Sequence, residues 1–384
     1  MAGVEAMNER VTVNKNARLA AATKYLRDEG LDGLIAASNG LNNFLESNAV
    51  YVFSGVRPIG ESALVLDRDG RSTLIVTPGW DGERAAALSS ADETIATEDL
   101  VSTLAGAVKK RRLNVERTVS VGLSFLGQGL VERIGTSFGA LPKPADELAR
   151  DIARLRSAEE LAAAERATWI AERGYERLLE FARPGLREYE LAAELYCFTK
   201  KLGAEDNFLL MSASQHNLAV RAAGERILDV GDIILSEITP CYRGQFAQIC
   251  RTTVIGEAGP VLREKFAILQ DAMAEGLVAG RAGSTVADVT RAINRVIQKA
   301  GYGEYCRPPY MRVRGHGLGI TSDRPGDIVD TNERVLESGM VFVMHPNQYL
   351  PESGYLMCGE PVVVTDHGCR ALSARPAELD VIPV

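Results

Sequence analysis

The second half of this 384-residue chain carries a spacing that occurs twice, and this repeat limits the folds that the chain can adopt. The segment Arg183-Pro184-Gly185 opens a predicted helix that ends at Gly203, and Arg281-Ala282-Gly283 opens another that ends at Gly301. The two starts, at residues 183 and 281, are 98 residues apart, and so are the two ends, at residues 203 and 301. A long helix precedes each unit and strands follow it, which indicates a duplicated helix–helix–strands fold. A site is expected where the two halves face each other.

A domain boundary is expected near residues 150–156. Ser157 and Glu160 form a capping box, in which the serine hydroxyl and the glutamate carboxylate each accept a free N–H at the start of a long helix. The first 150 residues alternate between helix and strand patterns, and Asp69-Gly70 predicts a tight hairpin turn. The predicted class is therefore α+β, with a smaller α/β domain at 1–152 and a duplicated domain at 153–384.

Composition excludes several classes of partner. The formal net charge of −8 argues against nucleic acid or an anionic membrane, because both favour a basic surface. No run of about 18 apolar residues occurs, so no membrane span is expected. The six cysteines include no CxxC pair, which fits a reduced, cytoplasmic protein. The expected partner is a small-molecule substrate.

All four histidines lie in the second half of the chain. His216, His316 and His345 each stand at the end of an apolar run or within a glycine bend, whereas His367 is typical of a surface turn. Histidine titrates near neutral pH and is therefore suited to proton transfer. A structural role for each of the three remains open, but their recurrence in one domain favours a shared site.

One acidic residue stands in an apolar strand pattern. Glu237 lies within the run Ile233–Ile238, where a carboxylate is costly unless it is paired or has a chemical role. Three arginines, Arg221, Arg312 and Arg314, have the side chain that best binds a carboxylate. Solvated charges at strand edges explain these arginines equally well.

Landmarks in order along residues 157–384 resemble the creatinase/aminopeptidase P/prolidase superfamily, which has the pita-bread fold. They are the capped helix Ser157–Ala182, the hairpin Gly231–Thr253, the Gly315–Gly319 strand (GHGLG), and the closing strands Gly339–Phe342 and Gly359–Thr365. The resemblance implies a C-terminal pita-bread domain and, at 1–152, a creatinase-type N-terminal domain. It also implies a homodimer.

The metallopeptidases of this superfamily hold two metal ions on two aspartates, a histidine and two glutamates. In this sequence the resemblance places these five ligands, in order, on Glu237, Gln248, His316, His345 and Gly359. Only one of the five is a carboxylate, whereas two divalent ions need several hard anionic oxygens. No metal and no cofactor are therefore expected, while a single ion held by Glu237, His316 and His345 stays open as an alternative.

The resulting hypothesis is a metal-independent, creatinase-like hydrolase of a C–N bond in a small amide or amidine-like molecule. The predicted catalytic residues are His216, Glu237, His316 and His345. The predicted substrate-binding residues are Gln248, Cys250, Arg314, Tyr349 and Glu360. Two alternatives remain open: a metal-dependent Xaa-Pro aminopeptidase or prolidase, and a pita-bread binding module without catalysis.

Overall fold

The structure, a computed structural model, describes residues 17–42, 44–45, 48–320 and 324–384. The chain divides into two compact units, residues 1–154 and 155–384. Both units combine helices with sheets, which confirms the predicted α+β class. Among the described residues, no helix has both the length and the apolar composition that crossing a bilayer requires.

The first unit is built on a six-stranded mixed sheet. Its strands, β1 to β6, are Gly33–Ser38, Ser62–Asp67, Ser72–Val76, Glu93–Ala96, Thr118–Val121 and Lys143–Pro144. Its helices, α1 to α6, are residues 17–28, Ala49–Ser54, Gly82–Leu88, Leu100–Lys110, Gln128–Phe138 and Asp146–Ile152. The strand order is β4-β3-β2-β1-β5-β6. The predicted hairpin is confirmed: β2 and β3 pair antiparallel, and Gly70 has the positive φ of 89° that its turn requires.

Apolar side chains explain why this sheet is covered by helices. Strands β1, β2 and β3 are buried along their whole length. Ile35 and Val65 form a cluster with Leu104 of α4 and with Leu130 and Ile134 of α5. Removing such side chains from water contributes about 1.5–3 kcal/mol each.

The second unit contains the predicted repeat. Its helices, α7 to α10, are Ala158–Phe181, Glu188–Lys201, Pro260–Ala279 and Val286–Ile297. The capping box at Ser157 and Glu160 is present, as predicted. The last predicted helix ends before Gly301: a π-helical turn follows α10 over residues 298–302, and Gly301 has a positive φ of 95°.

Strands follow each helix pair. Strands β7 to β10 are Asp206–Ser214, Ile233–Tyr242, Gln245–Phe246 and Ile249–Ile255. Strands β11 to β17 are Gly315–Gly317, Val341–Met344, Gln348–Leu350, Gly354–Leu356, Glu360–Thr365, Gly368–Ala371 and Leu379–Ile382. One sheet has the order β17-β10-β8-β7 with β9 beside β8, a second has the order β11-β12-β15-β16, and β13 pairs with β14.

Each helix pair packs on its own sheet. Tyr175 of α7 and Leu195 of α8 cluster with Ile238 of the first sheet. Leu269 of α9 and Ile293 of α10 belong to a second core cluster, with Phe342 and other residues of the second sheet. The duplicated ααβ arrangement predicted from the spacing is therefore present, and the two sheets are the walls between which a site can lie.

A buried arginine joins the two sheets. Cys250 of β10 and Gly359, the residue before β15, exchange two backbone hydrogen bonds of 3.0 Å. The Arg251 guanidinium donates to the carbonyl oxygens of both residues, at 3.1 and 2.7 Å, and forms an ion pair of 3.0 Å with Glu360. Its side chain is 1% exposed. The junction therefore depends on a desolvated ion pair.

We expect Arg251→Met to destabilise the protein by about 3–5 kcal/mol, because it leaves Glu360 buried without its cation. Denaturant unfolding of the two proteins under the same conditions measures this. Arg370→Met is the matched control, since Arg370 pairs with Glu165 at the surface and both side chains are about half exposed. Equal stability of the two variants would show that the junction does not depend on Arg251.

Candidate active site

The predicted site residues converge where the two sheets meet. Glu237 lies on β8 directly opposite Cys250 of β10. His316 lies on β11, and His345 follows β12 and donates its backbone N–H to the carbonyl oxygen of Arg314 at 3.0 Å. A Cβ atom added to Gly359 would lie 2.7 Å from the Cys250 sulfur and 3.0 Å from the Cβ of His345. Carboxylate, thiol and imidazole therefore share one wall.

His316 and His345 form an edge-to-face pair with ring centroids 5.8 Å apart. Burial lowers the pKa of His316 below its usual range, and burial together with the neighbouring His316 lowers the pKa of His345 to about 3. The Nδ1 atom of His345 is buried and has no hydrogen-bond partner within the part of the chain that the structure describes. Both rings are therefore neutral at neutral pH, so they can donate or accept a hydrogen bond but carry no charge.

Glycine is required beside this pair. Gly315 has a φ of 141°, and a Cβ atom there would lie 1.9 Å from the carbonyl oxygen of Val343 on the adjacent strand. Replacing this glycine would push β11 away from β12 and separate the two imidazoles. The glycine-rich pattern in the sequence thus serves close strand packing at the site.

Glu237 is the carboxylate of the cleft. Its side chain is partly buried, and desolvation raises its pKa to about 7, while the charge of Arg312 acts in the opposite direction. Among the described residues nothing donates a hydrogen bond to this carboxylate or forms an ion pair with it. A carboxyl group with a pKa near neutrality is suited to general acid–base chemistry.

His216 is placed differently from the other two histidines. It is exposed, in the loop after β7, and its ring meets Tyr349 edge-to-face with centroids 5.9 Å apart. The closest approach is 3.5 Å, between Nε2 and the Tyr349 hydroxyl. The same loop reaches the β13–β14 hairpin, where the Tyr355 N–H donates to the carbonyl of Asn217 at 2.6 Å. His216 therefore belongs to an aromatic border of the cleft rather than to the buried imidazole pair.

Gln248 and Cys250 lie inside the cleft. The Gln248 Nε2 atom is 3.7 Å from the Cys250 sulfur, and Gln248 Oε1 is buried with no hydrogen-bond partner among the described residues. Burial, reinforced by Glu237, raises the pKa of the Cys250 thiol well above its usual range. A thiol that stays protonated is a poor nucleophile, so Cys250 shapes the wall of the cleft.

Comparison with known proteins identifies the family. The model of metallopeptidase family M24 matches residues 162–366, more than half of the chain. The chain belongs to metallopeptidase family M24.

Individual relatives match this chain over 65–94% of its length. An Xaa-Pro dipeptidase from Pyrococcus furiosus is 24% identical over 367 residues, which covers 94% of this chain and 99% of the relative. A probable dipeptidase PepE from Mycobacterium tuberculosis is 28% identical over 254 residues, with 65% of this chain and 67% of the relative covered.

Solved structures show the same fold. An Xaa-Pro dipeptidase from Bacillus anthracis has a TM-score of 0.82 at 23% identity, and 96% of this chain and 99% of that chain are covered. The dipeptidase PepE from Mycobacterium ulcerans has a TM-score of 0.79 at 26% identity, with 97% and 99% covered. The predicted pita-bread fold is therefore confirmed.

One functional prediction is confirmed and another is wrong. Membership of the M24 family makes this chain a hydrolase acting on C–N bonds, as predicted. The more specific prediction, a metal-independent hydrolase of a small amide or amidine, is contradicted, because the matching relatives are named dipeptidases in a metallopeptidase family. These names agree with the alternative of an Xaa-Pro aminopeptidase or prolidase.

The residues present do not fit the two-ion centre of M24 metallopeptidases. The described residues contain no group of three or more His, Cys, Asp or Glu side chains placed to hold a metal ion. Of the five positions that the resemblance assigns to the metal ligands, only that of Glu237 carries a carboxylate. A glutamate at position 359 would collide with Cys250, since even a Cβ atom would lie 2.7 Å from its sulfur. The described residues of the cleft therefore supply fewer anionic oxygens than two bridged divalent ions require.

Two predicted substrate-binding residues have structural roles. Arg314 is fully buried and donates to Asn294 Oδ1, to the carbonyl of Asn347 and to Gln348 Oε1, at 2.8–2.9 Å, and to the Cys306 sulfur at 3.5 Å. Glu360 is buried against Arg251 and accepts from the Ser373 hydroxyl. Both side chains are therefore held by partners inside the fold, and these partners come from distant parts of the chain that the sequence pattern does not reveal.

Sequence reasoning overlooked three residues that border the cleft. The rings of Tyr305 and Tyr310 pack edge-to-face with centroids 4.8 Å apart, and the ring of Tyr310 stacks on that of Tyr349 with centroids 5.5 Å apart. Asn347 is buried, and its side-chain oxygen accepts the Cys358 N–H at 2.8 Å. The tyrosines grouped within residues 302–310 of the sequence could have predicted this aromatic border, which Tyr305 and Tyr310 form together with Tyr349.

We expect Glu237→Gln to stabilise the protein at about pH 8 by up to about 3 kcal/mol, because it removes a buried charge. The Glu237 carboxyl has a pKa of about 7 in the fold against an ordinary 4.5. The wild type therefore loses stability as the pH rises from 4.5 to about 7, and the difference between the proteins should vanish below 4.5. Thermal unfolding across this range measures it, with exposed Glu257→Gln as control. A pH-independent difference would contradict the assignment of a desolvated carboxylate.

We expect Gln248→Asp to bind Co²⁺ at least about 10-fold more tightly than the wild type, because it adds a second carboxylate on the face of the sheet that carries Glu237. Isothermal titration calorimetry measures the affinity of both proteins. Exposed Gln215→Asp adds the same charge outside the cleft and should leave cobalt binding unchanged. If Gln248→Asp behaves like that control, position 248 does not face a possible ion site.

Proposed function

We propose that this chain hydrolyses the peptide bond of a small peptide, with Xaa-Pro dipeptides as the first class to test. The observation that carries the proposal is the M24 match, together with relatives named Xaa-Pro dipeptidase and dipeptidase that align over most of this chain. The cleft between the two sheets supports it, since it presents a carboxyl group and two neutral imidazoles to one small volume.

In the proposed reaction Glu237 acts as general base. Its carboxylate removes a proton from water, and the water oxygen attacks the carbonyl carbon of the peptide bond. His316 and His345 are neutral, so either ring can donate an N–H to the oxygen that becomes negative in the tetrahedral intermediate. The unpartnered Nδ1 of His345 supports this role, because a buried polar atom without a partner favours a ligand that supplies one.

Collapse of the intermediate requires a proton on the leaving nitrogen. Glu237, protonated in the first step, can return that proton as the C–N bond breaks. His216 provides a second route, because it is exposed beside the Tyr349 hydroxyl at the border of the cleft. Gln248 and Tyr349 would then contact the substrate, and Cys250 would limit its size.

A homodimer is also proposed, on the resemblance to creatinase-like enzymes. A cytoplasmic location fits the cysteines, all six of which are free. Light scattering of the purified protein tests the dimer, and a mass of about 41.5 kDa, that of one chain, would contradict it.

A panel of dipeptides tests the proposed activity. Ala-Pro, Gly-Pro and Phe-Pro, with Ala-Ala and Ala-Phe for comparison, are incubated with protein as purified, after chelation, and with added Mn²⁺, Co²⁺ or Zn²⁺. We expect release of free proline in at least one condition. We expect Glu237→Gln to lower kcat/KM by about 100-fold or more. The wild-type kcat/KM should rise with pH around a midpoint of about 7, because the base must be ionised.

Exposed Glu257→Gln is the control and should retain wild-type activity. Absence of dipeptide cleavage in every metal condition would contradict the proposed function. Full activity of Glu237→Gln on a cleaved dipeptide would contradict the role given to Glu237.

A further inference from the structure

The sheet face that carries Glu237 also carries two buried polar side chains, those of Thr239 and Gln248. Both residues are fully buried. Within the described residues, neither the Thr239 hydroxyl oxygen nor Gln248 Oε1 has a hydrogen-bond partner. A buried polar atom without a partner costs free energy, so two of them in one place point to a ligand that supplies the missing hydrogen bonds.

The strand register places these two residues opposite each other. Ile238 pairs with Ile249 in the ladder between β8 and β10, so the next residues in the turn direction, Thr239 and Gln248, face each other. The pairs between β8 and β9 keep the same register, which leaves no room for a bulge between them. Cross-strand neighbours have Cβ atoms about 4.5–5.5 Å apart. One water molecule can bridge such a gap, because each of its hydrogen bonds is about 2.8 Å long.

Both side chains lie on the cleft face of the sheet. Side chains two residues apart along a strand share a face, which groups Thr239 with Glu237 and Gln248 with Cys250. The distance of 3.7 Å between Gln248 Nε2 and the Cys250 sulfur agrees with this grouping. Ile238, between Glu237 and Thr239, belongs instead to the core cluster with α7 and α8, on the opposite face. Glu237, Thr239 and Gln248 are therefore neighbours on one wall.

The hydrogen-bonding capacity of these three groups fits a single water molecule. Gln248 Oε1 and the Glu237 carboxylate only accept hydrogen bonds, whereas the Thr239 hydroxyl can donate one. A water can donate one proton to each of the two acceptors and can accept the hydroxyl proton of Thr239 with one lone pair. Its second lone pair then stays free for attack on a carbonyl carbon. A divalent cation fits this place less well, because the Thr239 and Gln248 side chains carry no negative charge.

We propose that Thr239 and Gln248 hold the attacking water of the hydrolytic reaction against Glu237. The inference rests on the proposed peptidase function and names two water-positioning residues for it. Glu237 takes one proton of this water, the water oxygen forms a bond to the carbonyl carbon, and the π electrons of the carbonyl group move onto its oxygen. Thr239 and Gln248 keep their protons and fix the direction of the attacking lone pair.

Crystal structures test the water site without any turnover. The wild type, Thr239→Val and Thr239→Ser are compared at a resolution that shows ordered waters. We expect the wild type and Thr239→Ser to hold a water within about 3.2 Å of the residue 239 hydroxyl, Gln248 Oε1 and a Glu237 oxygen. Thr239→Val, which lacks the hydroxyl, should lose this water. A wild-type map without the water, or with an anomalously scattering metal ion in its place, would overturn the inference.

Kinetics on a cleaved dipeptide test what this water does. We expect Thr239→Val and Gln248→Met each to lower kcat by about 10-fold or more with little change in KM, because they remove an interaction with the nucleophile and not with the peptide. Thr239→Ser keeps the hydroxyl and should retain most of the wild-type kcat.

Ser236→Ala is the matched control. Ser236 also lies on β8 and is fully buried, and its hydroxyl has no hydrogen-bond partner in the part of the chain that the structure describes. It stands one residue from Glu237 and therefore on the opposite face of the sheet. Loss of this hydroxyl should leave kcat unchanged.

The two measurements separate this inference from the proposed function. If no dipeptide is cleaved, the crystal structures still decide whether Thr239 and Gln248 hold a water. Wild-type kcat in Thr239→Val, or an equal loss in Thr239→Val and Ser236→Ala, would overturn the role given to Thr239. Circular dichroism and thermal unfolding confirm that each variant is folded before its kinetics are compared.

Discussion

The Arg251 guanidinium is the interaction on which the geometry of the second unit depends. It binds the carbonyl oxygens of Cys250 and Gly359, which are the two residues where the sheets meet, and it pairs with Glu360 behind them. Because the group is almost completely buried, it tolerates little movement without losing a desolvated hydrogen bond. The facing walls of the cleft are thereby held in register, and Glu237 stays opposite Cys250.

Burial then determines the chemistry of the cleft. It neutralises the imidazoles of His316 and His345 and raises the pKa of Glu237 to about 7. The cleft at neutral pH therefore contains neutral donors and acceptors around one carboxyl group that is poised to exchange a proton.

Sequence alone predicted the features that depend on local chemistry. The capping box at Ser157 and the Asp69-Gly70 hairpin follow from propensities within a few residues, and the repeated helix pairs follow from a spacing of 98 residues. The structure contains all three features. The resemblance to the superfamily placed His316 and His345 in one site, and this predicted that their rings lie close together. The structural partners of Arg314 and Glu360 could not be predicted, because these partners, Asn347 and Arg251, lie 33 and 109 residues away in the chain. No local pattern separates an arginine that binds a substrate from one whose donors are already occupied inside the fold.

The chain can match the M24 family and still lack its usual metal ligands, because the fold and the metal site depend on different side chains. Apolar residues such as Leu269, Ile293 and Phe342 form the contacts between helices and sheet. Gln248 and Gly359 stand instead beside Cys250, so a change at either position acts on the wall of the cleft. The core residues that specify the pita-bread fold and the groups that would polarise a peptide bond are therefore different residues of the chain.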